Sequence, residues 1–132
     1  MKPTHVAIII AIITIAGALF FASAKNSAPV SIDEAKNQNN VHMEGETQII
    51  EIDAKGGYLP RKSIAKAGVP TLIRFNTQAT FDCSSSVRIP RLDVSQILPQ
   101  TGSTDIDVGV QKVGPLEGTC GMGMYPFEVM FE

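Results

Sequence analysis

The hydrophobic and polar positions divide the chain into three segments of different character. Residues 6–22 (VAIIIAIITIAGALFFA) are apolar almost throughout, with Thr14 and Gly17 as mild interruptions. A run of this length approaches the roughly 20 apolar residues that cross a bilayer as a helix. We therefore predict that residues 1–24 form a transmembrane anchor.

The same segment has a second interpretation, a cleaved signal peptide. Ala22-Ser23-Ala24 has the small-x-small pattern of a signal-peptidase site, whereas the apolar run is long for a signal peptide. Lys2 precedes the run and Lys25 and Lys36 follow it, so flanking charge does not decide the orientation. The pattern favours the anchor and leaves the membrane face open.

Residues 25–46 (KNSAPVSIDEAKNQNNVHMEGE) are polar and show no sustained periodicity. A segment with so few apolar residues does not pack a core of its own, and we predict a flexible linker. His42 and Met43 could ligate a metal ion if this linker folds back. A solvated linker pair is the interpretation that the pattern favours.

Residues 47–132 change to short apolar segments separated by Gly and Pro. Segments of strand length run over 47–53 (TQIIEID), 63–65, 70–76 (PTLIRFN), 104–108 and 127–131. Residues 92–98 (LDVSQIL) could hold a turn of helix at most. About six or seven short strands in so small a domain predict an all-β fold, an antiparallel sandwich or barrel.

Alternation along the strands predicts which side chains face the core. The last strand would turn Phe127, Val129 and Phe131 inward, with Glu128 and Met130 outward. In the same way, the 70–76 strand places its residues 71, 73 and 75 on one face.

Composition excludes several classes of function. The 132 residues carry a net charge of -2, so no basic surface for a nucleic-acid backbone is expected. The sequence holds no Ser/His/Asp set, no paired catalytic carboxylates and no phosphate-binding glycine loop, and we predict that the protein is not an enzyme. The two cysteines are not arranged as C-x-x-C and are either one disulfide or one metal-binding pair.

The sequence concentrates sulfur-containing side chains in one short segment. Cys120-Gly121-Met122-Gly123-Met124 places three sulfur atoms in a glycine-rich loop, and Cys83 adds a fourth if its loop lies at the same end of the sandwich. Thiolate and thioether donors select Cu(I). A blue-copper site needs two histidines beside its cysteine, but the histidines here are His5 and His42, so electron transfer is not expected.

Short motifs over residues 56–132 resemble a known family. The segment is similar to the cupredoxin-like domain of bacterial copper-handling proteins, among them membrane-anchored Cu(I) chaperones of the CupA type and the N-terminal metal-binding domain of copper-exporting P-type ATPases. The motifs are Gly57-Tyr58-x-Pro60, Ala67-Gly68-x-Pro70, Phe81-x-Cys83, Ile89-Pro90, Leu98-Pro99-x-Thr101-Gly102 and Cys120-x-Met122-Gly123-Met124-Tyr125.

The resemblance implies a ligand set and a biological setting. Cys83 and Cys120 would hold Cu(I) as thiolates, and Met122 and Met124 would add thioether ligands and support a second ion. Val110 stands where the closest chaperones are expected to have methionine, which puts the second ion in doubt. The resemblance also implies a membrane-anchored chaperone in copper resistance, with a copper-exporting P-type ATPase or other membrane copper transporter as its partner.

Two questions stay open in the sequence. The resemblance favours the cytosolic face of the cell membrane, whereas the signal-peptidase pattern favours the extracytoplasmic one. If the domain is exported, Cys83 and Cys120 could form a disulfide in a metal-free structural or interaction domain.

Other side chains have simpler interpretations. Met122 and Met124 could fill the core, although flanking glycines favour a loop. Tyr58, Tyr125 and Met130 are expected to pack or to lie at the surface, and Glu51 and Asp53 to be solvated, with a carboxylate such as that of Glu51 as a possible neighbour of the site.

Overall fold

The structure is a computed structural model that describes residues 40–132. The anchor expected over residues 1–24 and most of the expected linker lie outside this range. Within residues 40–132 no helix is long and apolar enough to cross a bilayer.

The described part of the chain is an all-β sandwich of ten strands. Two single turns of 3-10 helix, Cys83–Ser85 and Pro90–Leu92, interrupt the strands. The strands are β1 (Val41–Glu44), β2 (Thr47–Ala54), β3 (Tyr58–Leu59), β4 (Lys62–Ala65), β5 (Pro70–Thr77), β6 (Ser86–Ile89), β7 (Val94–Ile97), β8 (Gly102–Val110), β9 (Gly114–Thr119) and β10 (Pro126–Phe131).

The strands form two sheets of five. One sheet has the order β1-β2-β5-β8, with β3 paired to β2, and the other has the order β4-β10-β9-β6-β7. Most pairs are antiparallel, but β2 and β5 run parallel, and so do β4 and β10. The all-β sandwich is confirmed, and the expectation of a purely antiparallel arrangement is corrected at these two pairs, where the chain crosses between the sheets before the parallel strand begins.

The core lies between the sheets and is aliphatic with one aromatic cluster. Ile73, Val87, Leu116 and Val129 are fully buried in it, and the residues predicted to face inward on β5 and β10 do so. The rings of Tyr58, Phe75 and Phe127 meet edge to face with centroids 5.0 to 5.8 Å apart. Such contacts add to the burial of the rings themselves.

One segment differs from the sequence-based expectation. β1 lies inside the expected linker, because Glu44 and Thr47 close a two-residue hairpin in which Gly45 has φ +63°. A glycine at positive φ is typical of such hairpin loops. Residues 92–98 hold no more helix than expected: the 3-10 turn Pro90–Leu92 ends at residue 92, and β7 follows and pairs with β6.

Candidate metal centre

The two cysteines meet at one end of the sandwich. Cys83 lies in the turn that leads from β5 in one sheet to β6 in the other, and Cys120 follows β9 directly. Their Cα atoms are 5.6 Å apart and the sulfurs are joined as a disulfide across 37 residues of sequence. We call this end, built by residues 78–85 and 120–125, the sulfur end.

The disulfide changes what the sulfur atoms can do. A thiolate is the form that ligates a metal ion, and in the disulfide neither cysteine is a thiolate. Addition of two electrons and two protons converts the pair to two thiols in adjacent loops. The structure therefore places Cys83 and Cys120 in contact in their oxidised state, whereas the sequence left open whether they form a disulfide or a metal-binding pair.

Asp82 fixes the turn that carries Cys83. Its carboxylate accepts hydrogen bonds from the Ser84 amide at 3.0 Å and from the Ser84 hydroxyl. The Ser84 hydroxyl is the largest of the influences that hold the pKa of Asp82 below its ordinary value. A carboxylate at the start of a short helical turn satisfies amide groups that the turn leaves without partners.

The loop that follows Cys120 is a tight turn. The Gly123 amide donates to the Cys120 carbonyl at 2.9 Å, and the Cys120 amide donates to the Tyr125 carbonyl at 3.1 Å. Gly123 has φ +76°, a conformation that glycine adopts without strain. The turn directs the chain back into β10 and leaves residues 121–124 at the surface.

The four sulfur residues differ sharply in exposure. Cys120 is fully buried and Cys83 is partly buried, whereas 79% of Met122 and 60% of Met124 are exposed. The methionines are therefore not core filler. Met130, by contrast, is half-buried on β10.

Ser86 and Tyr58 join the two loops to the core, and neither Asp82 nor Ser86 was among the residues predicted from the sequence. The Ser86 hydroxyl accepts from the Gly121 amide at 2.9 Å and donates to the Cys83 carbonyl at 3.2 Å. The Tyr58 hydroxyl donates to the Ser86 carbonyl at 2.6 Å. Burial, followed by the charge of Asp82, raises the pKa of Tyr58 above its ordinary range.

His42 and Met43 lie away from the sulfur end. On β1 His42 pairs with Ile49 of β2, five residues before Ala54, which borders the sulfur end. That spacing is about 16 Å along a strand. The His42 ring contacts the Glu44 carboxylate at 3.3 Å, and Met43 is 53% exposed.

Glu51 is also engaged elsewhere. It pairs with Arg74 in the β2–β5 register, and its carboxylate accepts a hydrogen bond from the Asn76 amide at 3.5 Å. The structure thus does not bring Glu51 to the sulfur atoms.

Val110 lies at the opposite end of the sandwich from Cys120. It pairs with Pro70 at the far end of β5, and the adjacent Gln111 carbonyl accepts from the Gly68 amide at 2.9 Å. A methionine at position 110 would not reach the sulfur end.

Harder ligands are not gathered anywhere in the described part of the chain. Among residues 40–132 there is no group of three or more His, Cys, Asp or Glu side chains placed to hold a metal ion. The candidate ligands that the sulfur end does bring together are sulfur atoms, the donor type that Cu(I) prefers.

Solved structures share this fold. One is the metal-binding domain of the Cu(I)-exporting P-type ATPase CopA of Streptococcus pneumoniae D39, with Cu(I), at 23% identity and a TM-score of 0.64, covering 70% of this chain and 92% of that one. A copper-binding protein in its apo form matches at 24% identity and a TM-score of 0.64, covering 70% of this chain and 94% of the other. Likeness at these identities shows the fold alone.

Sequence comparison with curated proteins finds no match. The model of the cupredoxin-like domain family, however, matches residues 10–130, nearly the whole chain. The chain therefore belongs to the cupredoxin-like domain family.

Proposed function

We propose that this protein is a membrane-anchored Cu(I) chaperone that takes up the ion at the sulfur end and passes it to a copper-exporting transporter. The observation that carries the proposal is the meeting of Cys83 and Cys120 beside a loop that exposes Met122 and Met124. In this proposal, Cu(I) is the ion that the protein transfers rather than a cofactor that it keeps.

In this proposal the reduced cysteines hold the ion and the methionines exchange it. Two thiolates from adjacent loops chelate one Cu(I), and thioethers at the surface offer weaker ligands that an acceptor can replace stepwise. The absence of a nitrogen-rich cluster in residues 40–132 supports transfer of the ion over electron transfer.

Residues 1–24 would anchor the domain and residues 25–39 would tether it. Anchoring raises the effective concentration of the domain at a membrane partner. A fold shared with the metal-binding domain of a Cu(I)-exporting P-type ATPase supports a transporter of that kind as the partner. We place the domain on the cytosolic face of the cell membrane, where thiols stay reduced and an exporter takes up its ion.

A competition titration tests Cu(I) binding. Reduced protein is titrated with Cu(I) against a colorimetric chelator as wild type, Cys83→Ser, Cys120→Ser and the control Met130→Leu. Each serine variant is expected to lose at least about tenfold in affinity, because a two-thiolate chelate becomes a single thiolate. Serine variants that compete as well as the wild type would rule out the proposed site.

The disulfide favours a second candidate function, an exported interaction or structural domain that binds no metal. In that case Cys83 and Cys120 serve as a permanent cross-link. Free thiols are counted in protein isolated from its native compartment without added reductant. Two thiols per chain support the chaperone, and none supports the structural domain.

A further inference from the structure

We infer that Ser86 is a positioning residue that clamps the two cysteine loops together, so that reduced Cys83 and Cys120 remain close enough to act as one chelate. The inference rests on the proposed function in one respect, the use of the reduced pair as a metal-binding unit. The hydrogen bonds of the clamp involve neither copper nor a sulfur atom.

One hydroxyl group makes both connections. The Ser86 oxygen accepts from the amide of Gly121, the residue after Cys120, and donates to the carbonyl of Cys83. The Ser86 carbonyl in turn accepts from the buried Tyr58 hydroxyl. The hydroxyl thus bridges the loops from a backbone position that is fixed to the core.

The absence of a side chain at position 121 makes room for this contact. A Cβ atom added to Gly121 would lie 2.7 Å from the Ser86 oxygen and 3.6 Å from the Ser86 Cβ. The first distance is a clash and the second is ordinary contact. Gly121 does not have the positive φ that would itself exclude alanine, so the hydroxyl is what an alanine would meet.

The clamp has a thermodynamic consequence for the thiols. A contact that favours the closed arrangement of the loops raises the effective concentration of one thiol at the other. By linkage, closing the pair with a disulfide or a metal ion strengthens the Ser86 contact to the same extent. Loss of the hydroxyl lowers this effective concentration without removing either cysteine.

The thiol–disulfide equilibrium with glutathione measures that quantity. In the reaction one protein disulfide and two molecules of reduced glutathione give the protein dithiol and one glutathione disulfide. For the full-length protein, Ser86→Ala is expected to lower the effective concentration about five- to tenfold, the usual effect of losing the one hydrogen bond that joins the two loops. Ser85→Ala is the matched control, because the Ser85 hydroxyl donates to the Asp82 carbonyl within its own turn.

Equal values for wild type and Ser86→Ala, or an equal loss in Ser85→Ala, would overturn the inference. A double-mutant cycle adds a second test. Gly121→Ala is expected to lower the effective concentration in the wild type and to have no further effect in Ser86→Ala, where the clashing oxygen is absent. Additive losses would show that Gly121 and Ser86 act separately and would overturn the clamp.

These measurements contain no copper, so the two proposals fail separately. A wild-type protein that binds no Cu(I) contradicts the proposed function and leaves the glutathione result intact. A protein that binds Cu(I) but whose equilibrium is insensitive to Ser86→Ala contradicts the inference alone.

Discussion

Cys120 and Met122 are two residues apart, yet one is fully buried and the other is 79% exposed. In the proposed function, a buried thiolate would keep the ion from competing ligands, whereas an exposed thioether would be replaced by a donor from another protein. The sulfur residues of this loop therefore suit two different tasks, retention and exchange.

Replacing Met122 and Met124 by leucine is expected to slow Cu(I) transfer to a thiol acceptor about tenfold. Leucine keeps the apolar volume but removes the thioether, and a loss of about 1.4 kcal/mol in the exchange complex gives that factor. Stopped-flow transfer to a coloured acceptor measures the rate. Met130→Leu is the control, and equal rates for all three proteins would show that the exposed thioethers have no part in exchange.

Asp82 is expected to make the stability of the turn that carries Cys83 depend on pH in the acid range. Its pKa is lower in the folded protein than in the unfolded chain, so the folded state binds fewer protons and the stabilisation is present at neutral pH. It is lost as pH falls below about 4. Asp82→Ala should therefore cost about 1 kcal/mol at pH 7, typical of a lost cap.

Thermal unfolding of wild type and Asp82→Ala at pH 7 and pH 3 checks this expectation. The difference between their unfolding midpoints should shrink at pH 3. A difference of the same size at both pH values would show that the Asp82 charge is not responsible.

The sequence pointed to the sulfur residues as candidate ligands but not to the groups that position them. Cysteine and methionine have distinctive donor chemistry, and the glycines around Met122 indicated a loop. Asp82 and Ser86 act through single hydrogen bonds to backbone groups, which depend on where two loops meet in space. Asp82 followed by Ser84 was a local capping signal, but no local signal connects Ser86 with Gly121.

At the scale of elements, most of the predicted strands show alternation, but β6 was missed although its Val87 and Ile89 alternate with more exposed residues. β10 alternates three buried residues with three that are more exposed, and β2 and β5 are rich in β-branched residues. β7 is an edge strand with little burial, and β9 contains Gly114, Pro115 and Gly118. Burial of one face produces alternation, so an edge strand or a glycine-rich strand carries a weak pattern.

Gly118 shows that a strand with a weak alternation pattern can still require one particular residue at one position. It pairs with Phe127, and a Cβ atom at position 118 would lie 2.1 Å from the phenylalanine ring. Gly118→Ala is expected to lower the free energy of unfolding by about 1–3 kcal/mol, the usual cost of overpacking. Guanidinium unfolding measures it, with exposed Glu117→Ala on the same strand as control. Equal stability of the two variants would show that the ring moves aside without cost.

At the scale of the whole molecule, the Cys83–Cys120 link encloses strands of both sheets. The 37-residue separation contains β6, β7, β8 and β9, which belong to different sheets. A cross-link over a loop of this length stabilises a folded protein by about 4 kcal/mol in the chain-entropy account. Whether Cys83 and Cys120 are cross-linked therefore affects the stability of the entire sandwich.

Cu(I) should replace the disulfide as the cross-link. We expect reduced, metal-free protein to unfold at the lowest denaturant concentration, and saturating Cu(I) to raise its stability by about 4 kcal/mol at a thousandfold excess over Kd. Anaerobic guanidinium unfolding of the oxidised, reduced and Cu(I)-loaded forms compares them. A reduced protein whose midpoint does not respond to Cu(I) would contradict binding across the two loops.

The exposure of Met122 and Met124 also makes the sulfur end accessible to oxidants. Peroxide converts accessible methionine to the sulfoxide, a polar group. Mass spectrometry of peroxide-treated protein should find Met122 and Met124 oxidised before half-buried Met130. In the proposed function, this oxidation would convert the thioethers that exchange copper into sulfoxides and so impair transfer of the ion.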